Sequence, residues 1–140
     1  EIMPFTGNFL CTSFKLGLLG ASFDFATPTT DVYKIALYDN AASFDASTTA
    51  YTTDNEVVAS GYTAGGEILT PTVNYDGTTS FLSFANVSWT SALTARGALI
   101  YKVGGSSICV LDFGSNKTST TTFTVEFPAA SSTTAIIRLA

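Results

Sequence analysis

The sequence predicts a mainly β protein: a single-domain antiparallel β-sandwich, of jelly-roll or Ig-like Greek-key type, with one short N-terminal helix. Three observations indicate this fold. The chain of 140 residues contains 23 threonines and 15 serines, and threonine, valine, isoleucine and the aromatic residues suit a pleated, half-buried surface. Period-two alternation recurs from residue 31 onward between turn residues. The length is that of one domain, which we assign to residues 1–140.

The N-terminal part is expected to differ from the rest of the chain. Residues 1–8 are predicted to form an extended arm and residues 9–20 a short helix. Leu10, Phe14 and Leu18 recur at four-residue spacing, which is the period of one helix face. Gly20 suits the end of this helix, because glycine is the residue most often found just past a helix C-terminus.

The remaining elements are predicted to be strands joined by short turns. The segment Asp31–Tyr38 alternates as a half-exposed strand does, and Asp39-Asn40 then supplies a turn. Asp76-Gly77 and Gly104-Gly105 are tight-turn pairs, the second inside a hairpin over residues 101–110, and Gly114 begins a polar loop. Further strands are predicted at residues 56–60, 66–75, 79–84, 87–94, 98–103, 107–113, 122–127 and 134–139.

Composition narrows the functional classes. The chain has no histidine, so neither a serine–histidine–aspartate triad nor a cysteine–histidine pair can form. The net charge of −5 and six scattered cations argue against nucleic-acid binding. No stretch approaches the ~20 apolar residues of a membrane span. We expect no enzymatic activity, no cofactor and no metal site.

Few acidic residues or thiols offer chemistry. Asp112 and Glu126 lie on predicted strands and could act as the paired carboxylates of a glycoside hydrolase, but a solvated or salt-bridged strand residue is the favoured interpretation of each. The sequence Asp54-Asn55-Glu56 is too short for a calcium loop of 6–8 ligands. Cys11 and Cys109 lie in apolar contexts, which favours buried free thiols over a single disulfide.

Amphipathic aromatic residues could form a platform for a carbohydrate or a peptide. They are Tyr51, Tyr62, Tyr75, Trp89 and Tyr101. Trp89 follows Val87 at strand spacing, so packing in the core is its favoured role.

Several segments, taken in order, resemble small virion structural proteins of tailed bacteriophages, particularly those of cyanobacteria and other aquatic bacteria. The resemblance extends over nearly the whole chain. The segments are residues 3–15 (MPFTGNFLCTSFK), 33–38 (YKIALY), 50–56 (AYTTDNE), 61–66 (GYTAGG), 95–101 (ARGALIY), 110–114 (VLDFG), 117–120 (KTST) and 135–140 (AIIRLA).

This resemblance implies a non-enzymatic role in the virion. It favours a capsid decoration, or cement, protein that binds the outer surface of a phage head, often as a trimer, after assembly in the host cytoplasm. The implied partners are the major capsid protein and copies of this chain. A tail or head-fibre component that binds a receptor is the alternative, and a carbohydrate-active domain using Asp112 and Glu126 is a third hypothesis.

Two regions are expected to contact partners. The N-terminal arm carries Ile2, Met3 and Phe5, apolar residues with no regular element of their own to pack within. The loops over residues 41–54 and 60–66 contain Tyr51 and Tyr62. The alternative interpretation of these two loops is that they are ordinary surface loops.

Overall fold

A computed structural model describes residues 5–26 and 28–140. The protein is mainly β, with 41% of residues in strands and 6% in helix, and its antiparallel sheets pack together, as expected for a β-sandwich with a short helix. The elements are β1 (Phe9–Leu10), α1 (Thr12–Leu19), β2 (Tyr33–Tyr38), β3 (Glu67–Leu69), β4 (Pro71–Asp76), β5 (Thr79–Phe84), β6 (Val87–Trp89), β7 (Thr94–Lys102), β8 (Ser107–Thr118), β9 (Phe123–Val125) and β10 (Ile137–Leu139).

A five-stranded antiparallel sheet with the order β1-β8-β7-β2-β3 contains the centre of the core. Strands β7 and β8 form a long hairpin, and β2 pairs with β7 so that Ala36 lies opposite Leu99. Both faces of β2 and β7 are covered: Ile35, Leu37 and Leu99 are fully buried. Near-continuous apolar runs in these two strands follow from this two-sided burial.

Two smaller sheets lie outside the five-stranded one. Strands β10-β5-β4 form a three-stranded sheet, and β6-β9 form a two-stranded sheet. Aromatic rings connect the layers. The ring of Phe25 lies 4.5 Å from that of Tyr33 in β2 and 6.4 Å from that of Phe84 in β5. Trp89 in β6 is buried beside Phe123 in β9, so its predicted role in the core is confirmed.

The helix is shorter than the predicted 9–20. Phe9 and Leu10 instead form β1 and pair with Val110 and Cys109 of β8. The backbone N–H of Cys11 continues this pairing by donating to the Ile108 carbonyl at 2.8 Å. A strand edge that needs hydrogen bonds therefore overrides the local helical pattern.

The predicted end of the helix at Gly20 is confirmed, since its N–H donates to the Leu16 carbonyl at 3.1 Å. On the predicted apolar face of the helix, Phe14 is buried and Leu18 is partly buried. Leu16 and Leu19, which lie off the line of Phe14 and Leu18, are 72% and 89% exposed.

Several strand boundaries also differ from the predicted ones. Residues 56–60 form no strand, and Glu56 makes only an isolated bridge to Tyr38. Gly114, predicted to start a loop, lies inside the twelve-residue β8. The predicted hairpin over residues 101–110 is present. The turn predicted at Asp76-Gly77 is also present, with Gly77 and Thr78 as its two central residues. The two tight turns were thus predicted correctly, whereas the loop at Gly114 and several strand lengths were not.

Gly66 is expected to be the glycine least tolerant of substitution. It has φ +82°, and a Cβ built on it would overlap the backbone carbonyl oxygen of Ile35. Gly66→Ala should therefore lower the free energy of unfolding by about 3 kcal/mol or more, combining backbone strain with a clash that neither strand can relieve. Denaturant unfolding measures this loss.

Gly104→Ala is the matched control for Gly66→Ala. Gly104 has a similar φ of +75°, but a Cβ there would meet nothing within 4 Å. Its loss should be limited to the backbone term of about 1 kcal/mol. Equal losses for the two variants would contradict the close approach of Gly66 to β2.

Candidate functional site

Asp112 is bound in an ion pair and is not a free acid. Its Oδ1 atom lies 3.0 Å from Nη2 of Arg96 on the neighbouring strand and also accepts the N–H of Gly114 at 2.7 Å. The same arginine donates to Asn40 Oδ1 at 3.1 Å and to the Phe5 carbonyl at 3.5 Å. The salt-bridged interpretation of Asp112 is confirmed, and the pair links the hairpin to the N-terminal segment.

Glu126 is exposed and follows β9 in the two-stranded sheet, whereas Asp112 belongs to the five-stranded sheet. A glycosidase needs one carboxyl group that can donate a proton and a second that is free to act as base or nucleophile. The two carboxyl groups belong to different sheets, and Oδ1 of Asp112 is already bound by Arg96 and by the Gly114 N–H.

Glu56 is the most unusual acidic residue, since it is buried at 7% exposure. Its Oε1 atom accepts the hydroxyl of Tyr51 at 2.6 Å, and Oε2 accepts the hydroxyl of Tyr62 at 2.7 Å. Oε2 also accepts the backbone N–H of Gly65 at 2.8 Å. We call these four groups the Glu56 cluster. Both carboxylate oxygens point inward to protein donors, so this residue is not presented to a calcium ion.

Other tyrosines extend the Glu56 cluster. The ring of Tyr51 stacks on that of Tyr101 at 4.7 Å, and the Tyr101 hydroxyl donates to the Gly65 carbonyl at 2.7 Å. Tyr38 donates to the Thr52 carbonyl at 2.6 Å. These bonds hold residues 51–66 against β2 and β7, although that segment contains no strand.

Burial dominates the acid–base properties of these tyrosines. It raises the pKa of Tyr101 to about 12. It also raises the pKa of Tyr38, Tyr51 and Tyr62 well above the ordinary tyrosine value, and the negative charge of Glu56 adds to each of these increases. The hydroxyls therefore remain neutral donors under physiological conditions.

The predicted contact residues occupy different environments. Ile2 and Met3 lie outside the described residues. Phe5, expected on an exposed arm, is 2% exposed and forms a bridge with Phe44. Tyr62 is buried and Tyr51 is partly buried, because both hydroxyls bind Glu56. The members of this cluster lie close together in the sequence, between residues 51 and 65, but no helix or strand period relates them. The segment is held against distant strands by the Leu37 N–H on the Tyr62 hydroxyl and by the Tyr101 hydroxyl on the Gly65 carbonyl, and sequence alone does not show these bonds.

The two thiols are free and buried, as predicted. Burial raises the pKa of Cys11 and, more strongly, that of Cys109. The reactive form of cysteine is the thiolate, so neither residue has the character of a nucleophile.

A surface that the sequence reasoning missed lies beside the three-stranded sheet. A cavity of about 140 Å³ opens between Phe14, Leu18 and Phe25 on one side and Val73, Leu82 and Leu139 on the other. We call it the apolar groove. Two of its lining residues, Val73 and Leu139, are 53% and 54% exposed, and Tyr75, on the same face of β4 as Val73, is 73% exposed. The available signal was the alternation of Val73 and Tyr75 in β4.

Two of the cations take part in ion pairs. Arg96 binds Asp112, and Nζ of Lys102 lies 3.1 Å from Oδ2 of Asp31.

The helix α1 has eight residues, and no helix in the described part of the chain is long and apolar enough to cross a bilayer.

Comparisons of the chain with protein families, with curated proteins and with solved structures found no match. Function is therefore inferred from the sequence, the fold and the surface of the protein itself.

Proposed function

We propose that this protein is a non-enzymatic virion component, a capsid decoration protein that binds the outer surface of a phage head and stabilises it. The observation that carries the proposal is the ordered series of segments, from residues 3–15 to residues 135–140, that resembles small virion proteins of tailed phages. The partners proposed are the major capsid protein and further copies of the chain.

Two structural features support a role based on contact. The Glu56 cluster holds the long segment 51–66 against the sheet, which keeps it compact without regular structure. Val73 and Leu139 in the apolar groove are exposed, as is Tyr75 on the same face of β4 as Val73. Such a concentration of exposed apolar side chains is typical of surfaces that bind another protein.

Acidic, hydroxyl-rich composition is also consistent with this role. The net charge is −5, which disfavours adhesion to nucleic acid and to negatively charged cell envelopes. Threonine and serine hydroxyls cost less to desolvate than ions do, so such a surface is readily buried against a shell.

The proposal predicts saturable binding to undecorated phage heads. Purified protein added to such heads should occupy defined positions relative to the capsid symmetry axes, and its copy number should reach hundreds per particle. Image reconstruction and quantitative mass spectrometry measure these two quantities. A copy number of a few to tens would instead favour the tail or head-fibre alternative, and no occupancy at all would refute binding to the head.

A truncation tests the arm within the same assay. Because Phe5 is buried, removal of residues 1–7 would disturb the core as well as the arm. Removal of residues 1–4 keeps Phe5 and deletes Ile2 and Met3. If these two residues contact a neighbour, this variant should unfold at the same denaturant concentration as the full chain yet occupy fewer positions on the head. Unchanged occupancy would exclude the arm as a contact.

A further inference from the structure

Strand β4 has a free backbone edge. Among residues 5–26 and 28–140 it pairs with β5 alone. The two-residue turn at Gly77-Thr78 makes Asp76 and Thr79 a pair joined by backbone hydrogen bonds. The Ala85 N–H also donates to the Thr70 carbonyl, at 3.1 Å. Thr70 is an even number of residues from Asp76, so this bond fits the same alternation of hydrogen-bonded and non-hydrogen-bonded pairs. In this alternation the N–H and C=O groups of Val73 and Tyr75 point away from β5.

A local hydrogen bond agrees with this direction. The outward N–H of Tyr75 is bound by the side-chain Oδ1 of its own neighbour Asn74, at 2.8 Å. Such a bond is weak compensation for a missing strand partner and is easily exchanged. The side chains of Val73, which lines the apolar groove, and of Tyr75 share one face of β4 and are 53% and 73% exposed.

We propose that β4 is a dimerisation edge, at which two copies of the chain pair antiparallel about a twofold axis through Asn74. Val73 of each copy then lies opposite Tyr75 of the other. This register pairs the N–H and C=O of Val73 and Tyr75 in each copy, which are four of the five outward backbone groups of the strand; the fifth is the Pro71 carbonyl. The three-stranded sheets of the two copies then form one continuous six-stranded sheet.

Side chains and charges also fit this register. Each pairing of Val73 with Tyr75 joins a β-branched residue to an aromatic one, a favourable cross-strand combination. The only charge on the strand, Asp76, lies opposite Thr72, so no like charges face each other. A register centred on Val73 instead places Tyr75 opposite Pro71, which has no N–H, and leaves the Tyr75 carbonyl unpaired.

The proposal concerns a second copy of this chain and holds whether or not the protein decorates a capsid. It predicts a dimer, which differs from the trimer implied by the phage resemblance. Twofold pairing of identical edges stops at two copies, because each copy uses its β4 edge to bind the other.

Cross-linking by an introduced cysteine tests the register. In the proposed dimer the two Asn74 residues form a non-hydrogen-bonded pair with Cα atoms about 4.5 Å apart, which is within the range of a disulfide. Asn74→Cys should therefore yield a covalent dimer of twice 14.7 kDa under mild oxidation. Thr72→Cys is the matched control: its two copies would lie four residues apart along the strands, about 13 Å, and should not cross-link.

Sedimentation equilibrium of the unaltered chain tests the dimer itself. A mass of twice 14.7 kDa that falls to one subunit on dilution is expected. Tyr75→Pro removes the outward N–H without breaking a bond to β5, and it should shift the protein to monomer while leaving the circular dichroism spectrum unchanged. A monomer at every concentration, a trimer, or cross-linking of Asn74→Cys no faster than that of Thr72→Cys would overturn the proposal.

Discussion

Replacing Glu56 with alanine is expected to lower the free energy of unfolding by about 3–5 kcal/mol. The carboxylate accepts three hydrogen bonds in a buried site, from the Tyr51 and Tyr62 hydroxyls and the Gly65 N–H. Removing it leaves these donors unpaired, and an unpaired buried donor costs about 1–3 kcal/mol. Urea unfolding followed by tyrosine and tryptophan fluorescence measures the change.

Two further variants separate hydrogen bonding from charge and position. Glu56→Gln keeps the shape and one oxygen acceptor, and the Tyr51 hydroxyl can turn to accept from the new amide, so its loss should be about half that of Glu56→Ala. Glu126→Ala removes an exposed carboxylate and should change stability by less than about 0.5 kcal/mol. A loss for Glu56→Ala no larger than that for Glu126→Ala would contradict the proposed role of the Glu56 cluster.

The protein is expected to unfold cooperatively at alkaline pH, between about pH 10 and 12. Burial raises the pKa of Tyr33, Tyr38, Tyr51 and Tyr62, and it raises the pKa of Tyr101 to about 12. In the unfolded chain tyrosine ionises near pH ~10. Above that pH the folded state binds more protons than the unfolded state, so stability falls as pH rises.

Each of these tyrosines contributes stability that is fully present below pH ~10 and is lost as pH approaches its folded-state value. The slope while one such group is ionised only in the unfolded chain is about 1.4 kcal/mol per pH unit. Urea midpoints measured from pH 8 to 12 should therefore drop steeply. Tyr101→Phe removes one titrating group, so the slope of the unfolding free energy against pH should decrease by the contribution of one proton. A stability that stays level through pH 11 would contradict the burial of these hydroxyls.

Several features could be predicted from sequence because they depend on neighbouring residues. The Asp76-Gly77 turn and the hairpin over residues 101–110 are encoded in short runs of turn residues between alternating segments. The end of the helix at Gly20 is likewise local. Burial of Trp89 and of both cysteines followed from the apolar residues beside them. In each case the information lies within about ten residues.

Other features could not be predicted, because they depend on residues far apart in the chain. Phe9 and Leu10 leave the helical pattern for strand β1 because β8, a hundred residues away, offers an open edge. Phe5 becomes part of the core through Phe44 and Arg96. The acidic residue that matters most for the fold, Glu56, was predicted to begin a strand over residues 56–60, and nothing in the sequence indicated that its carboxylate is buried.

The sequence by itself determined the fold class, its turns and the scarcity of groups suited to catalysis, since composition and period-two alternation are properties of the chain. The tertiary structure alone decided which polar residues face inward and which strands lie at sheet edges, β4 among them. Glu56 is buried because two tyrosines and a backbone N–H converge on it. The edge of β4 is free because no described strand reaches it. Both outcomes depend on how distant segments pack: residues 51–66 dock against β2 and β7, and the strands of each sheet come from separate parts of the chain.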